Sequence, residues 1–461
     1  MNYRNTLLVP ELRELLVAGE HDALREFCGA GHPATIADLI SPLSPVEIWA
    51  LLAASDPERR ADIFSHLDED LQIGIVETLS RHDMAALLTE MSPDDRVDLF
   101  KKLPADTREI VLPAMAKAER EDIRRLAAYP EGTAGAVMTS DYATLYPELT
   151  AVGAIEHLRE VAPDTETIYY AYVVDRSRRL LGFVSLKDLI LAPRQARIAD
   201  IMHRKVIFAR TGDDQEEAAR QIQKYDLLAL PVVDDHKALV GIITHDDALD
   251  VITQEQTEDM EKLMAITGNH EPGVYLATPA WVHFKNRASW IVGLAALGLA
   301  SGLIIHSFEK TLMQMMILAL YMPMVADTGG NTGSQSATVV VRALALGEVS
   351  PRDIMRVLGK ELRIALLLAV VLGVLSWAKV MFLSRGSVIP AGFSLARIGG
   401  AIAVALGLQV VTATLIGALL PLAAARLKLD PAVVASPALT TIVDITGLLL
   451  YFFTARWLLG I

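Results

Sequence analysis

From Ala288 to its last residue the chain carries five long apolar runs, about Trp290–His306, Leu312–Ala345, Leu362–Phe382, Ile398–Ala425 and Val433–Leu459. Nothing else in the sequence limits the fold so strongly. In hydrocarbon every backbone N–H and C=O must be satisfied internally, which leaves helices of about 20 residues or closed barrels of much shorter strands. Runs of this length are helices, so this part of the chain reads as an α-helical membrane domain with five crossings, the first short and the second running past the membrane. Its flanking basic residues fall unevenly. Lys285, Arg287, Arg342, Arg352, Arg356, Lys360, Arg363, Arg426 and Lys428 lie toward one side, against Lys310, Arg385 and Arg397 on the other. Positive charge stays inside, which predicts a multi-pass protein of the plasma or inner membrane, its N-terminal part cytoplasmic and its C-terminus outside.

Charge divides the chain as sharply as hydropathy does. The apolar part holds seven acids against twelve Lys and Arg, whereas residues 1–287 hold 49 acids against 30 bases. The overall −14 is therefore an acidic soluble half joined to a mildly basic membrane half. An acidic surface disfavours nucleic acid and draws cations. The one cysteine, Cys28, excludes an intramolecular disulfide framework and a Cys-rich metal site. Met1 to Glu20 shows no apolar core with a small-residue cleavage site, so no cleavable signal is expected. His270-Glu271 lacks a second His four residues after the first, and no Gly-rich phosphate loop is present. Neither a zinc protease nor a nucleotide-hydrolysing enzyme is indicated.

Residues 1–130 show apolar spacings of three and four, as in Leu12, Leu15 and Leu16, and read as helices. Ala50-Leu51-Leu52 with Pro57, Arg60, Asp62, Phe64 and Leu67 recurs 36 residues later as Ala86-Leu87-Leu88 with Pro93, Arg96, Asp98, Phe100 and Leu103. A period of that size predicts stacked helix pairs. Ser92 reads as an N-cap and Pro93 as the first helical residue. Asp94 and Asp95 then either complement the helix dipole or, with Asp98 one turn on, hold a divalent ion.

From about residue 133 short β runs alternate with helices. Tyr169–Asp175 and Leu181–Leu189 are echoed by Ala229–Asp234 and Val240–Asp247, each with strand, Asp turn, strand, Gly and Ser/Thr-x-x-Asp in order. This resembles a tandem pair of CBS domains, which implies a regulatory α/β module and, in many members, an adenosine nucleotide such as ATP. Asp188 then contacts ribose and Tyr170 stacks on the base; Asp188 as a helix cap is the other reading. An acidic helix of about 30 Å follows from Asp246. Asp247, Asp250, Glu258 and Glu261 share one of its faces, with Glu255 and Asp259 alongside.

Two stretches of the membrane part break the apolar pattern. Tyr321–Gln335 combines Pro323, three glycines and several amides and hydroxyls, so irregular backbone facing water is expected there, with close glycine packing as an accompanying reading. Asp444 places a carboxylate in the last run, at a cost of about 2.5–3.5 kcal/mol on insertion scales, and such acids usually face a pathway.

Gly329-Gly-Asn-Thr-Gly-Ser-Gln335, the run from Pro437 to Asp444, the acidic helix and the tandem CBS pair, in this order, resemble the MgtE family of magnesium channels over nearly the whole chain. Thr332 stands where that family most often has Ala, and Ala136 near a position often Gly. The resemblance implies five domains: a cytosolic helical N domain over 1–131, CBS domains over 132–199 and 200–245, a connecting helix and linker over 246–287, and a transmembrane pore domain over 288–461. It implies a homodimer with its pore on the two-fold axis, where Asp444 holds hydrated Mg2+ with Ala438, Gly329 and Asn331 nearby. It also implies regulatory Mg2+ held by Asp94, Asp95, Glu216, Asp226, Asp247, Asp250, Glu255, Glu258 and Asp259, closing the pore when cytosolic Mg2+ is high. A proton- or Na+-coupled transporter of divalent cations is the alternative.

Overall fold

The computed structural model describes residues 8–162, 165–264, 266, 278–435 and 437–461. They form two compact units, one of the described residues up to 255, the other of those from 256 on.

The first unit begins with ten helices: α1 (Val9–Ala18), α2 (His21–Gly29), α3 (Pro33–Ile40), α4 (Pro45–Leu52), α5 (Pro57–Ser65), α6 (Glu69–Thr78), α7 (Arg81–Glu90), α8 (Pro93–Lys102), α9 (Ala105–Val111) and α10 (Lys117–Leu126). Proline stands in the first turn of α3, α4, α5 and α8, where its missing N–H costs nothing. Helix α3 packs on α5, α5 on α7, α4 on α6, α6 on α8 and α8 on α10, the staggered stacking the sequence repeat predicts. The repeated apolar positions are the ones this stacking buries: Leu51, Leu52, Phe64, Leu87, Leu88 and Phe100 all enter the core. The repeated arginines tie the layers together. Arg60 pairs with Glu90 at 2.7 Å, and buried Arg96 donates to the carbonyls of Leu88, Thr89 and Met91.

Two three-stranded sheets follow. In one, β1 (Tyr142–Leu145) lies parallel to β2 (Thr167–Val174), which is antiparallel to β3 (Leu180–Ser185). In the other, β4 (Ala209–Arg210), β5 (Ala229–Val233) and β6 (Leu239–Thr244) repeat that order and sense. Around them stand α11 (Ala151–Val161), α12 (Leu186–Leu191), α13 (Ile198–Ile201) and α14 (Gln215–Tyr225). Each sheet takes a bridge from the segment leading into the other repeat: Phe183 pairs with His203, and Ile242 with Thr139. This explains the glycine in each motif. A Cβ on Gly182 would lie 2.8 Å from the His203 carbonyl, and one on Gly241 would lie 2.8 Å from that of Thr139.

Helix α15 (His245–Leu263) leads out of the second sheet, its start belonging to the first unit and its end to the second. The second unit continues with α16 (Ala280–Ser307), α17 (Glu309–Gln314), α18 (Ile317–Ala345), α19 (Ile354–Leu383), α20 (Leu395–Arg426), α21 (Pro431–Ala435) and α22 (Pro437–Leu459). Helix α20 is the hub, touching α18, α19 and α22, while α16 rests on α22. Among the described residues, four helices are long and apolar enough to cross a membrane: α16, α19 with the turn before it, α20 and α22. Half of the most apolar window of α20 is buried and none of that of α16. Helix α18 is as long as these, at 29 residues, but its polar residues keep it below that hydropathy.

The expected irregular backbone over Tyr321–Gln335 is not found. Helix α18 runs unbroken through Pro323 and the glycines, and the interruption falls earlier, at Met315 and Met316. The glycines are used for packing instead. Within the stretch the Thr332 hydroxyl bonds back along the helix, donating from Oγ1 to the Thr328 and Gly329 carbonyls.

Candidate cation path and acidic cluster

In the membrane unit the site is built on a seam where α18 and α20 approach almost backbone to backbone and α22 packs beside them. A Cβ on Gly417 of α20 would collide with the carbonyl of Gly333 on α18. One on Gly333 would lie 3.2 Å from the Ala413 carbonyl and 3.4 Å from Val443 Cγ2 on α22. Small residues at such positions allow close helix packing in a membrane, where burial from water offers no drive. A polar side chain enters this seam. Gln409 of α20 is fully buried and donates from Nε2 to the Val443 carbonyl at 2.9 Å. In the sequence Gln409 is marked only as the one amide in the fourth apolar run.

Asp444 follows Val443 and is half-buried at the edge of the seam. On α18, Asp327, Asn331 and Gln335 recur at intervals of four and are all exposed, opposite the buried Gly329, Gly333 and Ser336. Gly329 itself is helical and its carbonyl accepts from Thr332 at 3.1 Å. The backbone of Ala438 is helical, its side chain lies outside the described residues, and Ser436 lies outside them altogether. A further acid is buried nearby: Glu361 of α19 accepts from Ser336 Oγ at 2.8 Å.

In the soluble unit, the first turns of α8 and α15 bring carboxylates together. Ser92 holds the N-cap position of α8 with Pro93 behind it, as the sequence predicts. Asp94 is pushed well above the ordinary carboxylate range, first by burial and then by the charges of Asp247, Asp95 and Glu166. Its Oδ1 is buried without a hydrogen-bond partner. Asp247 rises to about 6, again first through burial, with Asp246 and Asp95 adding repulsion and the Thr244 hydroxyl opposing it. Asp250 also moves up, through burial, Asp246 and Asp95, with His66 opposing. Glu166, just ahead of β2, rises to about 7 through desolvation and then Asp247, Asp246, Asp95 and Asp141. More than a third of the Glu166 residue is open, so neighbouring atoms crowd one side of its carboxyl without enclosing it. The sequence offered no sign of Glu166, since only the fold carries that loop to α15.

Thus Asp94, Asp95, Asp247 and Asp250 do come together, joined by Asp246 and Glu166. Among the described residues, no three His, Cys, Asp or Glu side chains converge closely enough to grip a bare metal ion. Glu216 pairs with Arg220 one turn on in α14, and Asp226 is exposed in left-handed conformation at the end of that helix. Glu255 accepts from Gln215 Nε2 at 2.7 Å. In the membrane unit, Glu258 lies 2.8 Å from Lys262, which also reaches Asp430, and Asp259 is half-buried.

Ser185 is the N-cap of α12 and Asp188 completes its capping box: Ser185 Oγ donates to Asp188 Oδ2 at 2.6 Å, the Asp188 N–H donates to Ser185 Oγ, and His203 Nε2 lies 3.0 Å from the same carboxylate oxygen. Tyr170 stands edge-on to Phe183, with centroids 5.4 Å apart.

A glycine-seamed bundle with a polar stripe and one carboxylate at its edge, carrying a soluble half whose acids crowd together, is that of a membrane transporter for cations. Family profiles divide the chain accordingly: "Divalent cation transporter" over residues 322–454, "MgtE intracellular N domain" over 31–132, and "CBS domain" over 134–194 and 198–254. The magnesium transporter MgtE of Thermus thermophilus is 40% identical over 463 residues, covering 98% of each chain. A crystal structure of the soluble part of a magnesium transporter matches 53% of this chain and 97% of its own, at 34% identity and a TM-score of 0.51. That of the cytosolic domain of the Mg2+ channel MgtE in complex with ATP is 38% identical, covering 52% and 98% with a TM-score of 0.49. The chain belongs to the MgtE family of magnesium transporters, multi-pass membrane proteins with cytosolic N-terminal domains and not enzymes.

Proposed function

We propose that the protein is a Mg2+-selective channel for magnesium uptake in the plasma or inner membrane, closed by cytosolic Mg2+. The observation that carries this reading is the exposed stripe of Asp327, Asn331 and Gln335 on α18, on a helix packed directly against the one bearing Asp444. Polar groups at membrane depth cost too much to face lipid, so the stripe lines water. We count α18 as the fifth crossing, which puts the C-terminus outside, and take a homodimer with the path on its two-fold axis to double the Asp444 carboxylate. Mg2+ sheds its water reluctantly, so Asp444, Asn331 and the backbone near Ala438 and Gly329 engage it through that shell. The membrane potential supplies about 4.6 kcal/mol per 100 mV for the doubly charged ion.

The domain boundaries at 131, 199, 245 and 287 separate sensor from pore. Crowded hard oxygen donors and the orphaned Asp94 Oδ1 fit a hydrated Mg2+ ion. Its binding relieves their repulsion and holds α8, the loop before β2 and α15 together. Glu216, Asp226 and Glu255 complete the regulatory set of the soluble unit, and Glu258 and Asp259 that of the membrane unit. ATP at the CBS pair, with its ribose displacing His203 from Asp188 and its base beside Tyr170, tunes that sensor.

The test is Mg2+ flux into proteoliposomes. Asp444→Ala abolishes uptake while leaving a folded dimer; normal uptake by this variant removes the pore assignment. The buried Glu361 favours one second reading, a proton-coupled transporter. A Mg2+ reversal potential that follows the pH gradient, and loses that dependence in Glu361→Gln, decides for it.

A further inference from the structure

We infer that Gln409 is a positioning residue for cation selection, setting the spacing between the α18 and α22 faces of the path. This inference rests on the reading of Asp444 as the ion site. The Gln409 side chain leaves α20 and ends between two glycines on two different helices. A Cβ on Gly329 would lie 2.9 Å from its Cγ, one on Gly447 would lie 2.7 Å from its Cδ, and either would collide with Nε2. The amide thus fills a slot whose walls are the backbones of α18 and α22. It is also oriented within that slot: Nε2 donates to the Val443 carbonyl at 2.9 Å, and Thr412 Oγ1 lies 3.5 Å from Oε1.

The consequence is geometric. Val443 is the residue before Asp444, and Gly329 lies two before Asn331. One fully buried amide therefore fixes the carbonyl next to one proposed ion contact against the helix carrying the other. A buried polar group held in this way is costly to leave unpaired, so the slot tolerates one arrangement. Mg2+ demands near-ideal octahedral geometry whereas Ca2+ accepts irregular shells. Loosening the spacing therefore erodes discrimination before it erodes throughput.

The experiment measures competing Mg2+ and Ca2+ fluxes in proteoliposomes with Gln409→Glu, which keeps the shape but exchanges the amide nitrogen for a carboxyl oxygen, and Gln409→Met, which keeps the bulk but has no donor. Both retain uptake and lower the Mg2+ to Ca2+ flux ratio by about tenfold or more, with the cytosolic Mg2+ needed for half-closure unchanged. If Gln409→Met does not fold, Gln409→Glu alone carries the test. Gln409→Ala with Gly447→Ala refills the slot with carbon and keeps the ratio low; recovery of the native ratio shows that Gln409 acts by packing alone and overturns the inference. Asp444→Ala runs in parallel. Lost uptake there, with an unchanged ratio in Gln409→Glu, overturns the inference and leaves the ion site standing; normal uptake in Asp444→Ala overturns both.

Discussion

Lys262, in the last turn of α15, places Nζ 2.9 Å from Asp430 Oδ2, in the connection between α20 and α21. Glu258, one turn back, lies 2.8 Å from the same ammonium. Burial alone would lower the Lys262 pKa, but these two carboxylates more than reverse that and raise it. The three groups tie the end of the acidic helix to the helices that form the seam. Both side chains of the Lys262–Asp430 pair are about a third exposed, so the pair contributes under about 1 kcal/mol.

Lys262→Met is therefore expected to raise the cytosolic Mg2+ needed for half-closure by about two- to fivefold, the scale of such a pair. Lys262→Asp combined with Asp430→Lys restores the native value. Patch recording across a cytosolic Mg2+ series checks both. An unchanged midpoint in Lys262→Met shows the tie to be incidental to gating.

The crowded acids carry a larger expectation. Asp247→Asn with Asp250→Asn leaves conduction intact but raises the closing concentration of Mg2+ by about tenfold, within the usual range of allosteric coupling. Adding Glu258→Gln changes little further, because that carboxylate is already committed to Lys262. If closure is as sensitive as in the native protein, this face of α15 is merely solvated.

What could be read from the sequence follows from how local each signal is. Apolar run length marks the membrane helices, and the repeated order of strand, Asp turn, strand and Gly marks the two sheets, because both depend on near neighbours or on exact repetition. The unbroken α18 was not legible. Glycine and proline usually interrupt a helix, and only the facing α20 backbone at Ala413 and Gly417, with the side chains of Gln409 and Val443, shows that here the glycines thin it for packing. Gln409 and Glu166 were missed for a related reason. Each is an ordinary polar residue until the fold places one in a closed slot and the other among acids far from it in sequence. Asp444 stood out because a charge in an apolar run needs no partner to be conspicuous.

Stability of the helical repeat depends on a second arginine as well as on its apolar layers. Arg96 is buried and satisfies the carbonyls of Leu88, Thr89 and Met91 at 2.5, 3.2 and 2.7 Å. Arg96→Met fills the space but leaves those acceptors unpaired, destabilising the region by about 2–4 kcal/mol. Hydrogen exchange on the full chain reads this as faster exchange across α7 and α8, with the membrane helices unaffected.

The acidic cluster also makes a prediction about pH, whose sign follows from the direction of its shifts. Glu166 is raised from its ordinary 4.5 to about 7 and Asp247 from 3.8 to about 6. A carboxylate raised in this way is protonated more readily when the cluster is assembled than when it is apart. Assembly is therefore favoured at low pH, and the advantage is lost as pH rises from about 4 through about 7. Without Mg2+, protection of the first turns of α8 and α15 from hydrogen exchange should be strong at pH 5.5 and weak at pH 8. Saturating Mg2+ should remove most of that difference, since the ion replaces protons in offsetting the same repulsion. The affinity for Mg2+ should correspondingly increase with pH across that interval, because each proton displaced costs less as it is bound less. Glu166→Gln removes one of the raised carboxylates, so the difference in protection between pH 5.5 and pH 8 should shrink. Protection that does not change between pH 5.5 and 8 would mean that these acids do not repel one another enough to work the gate.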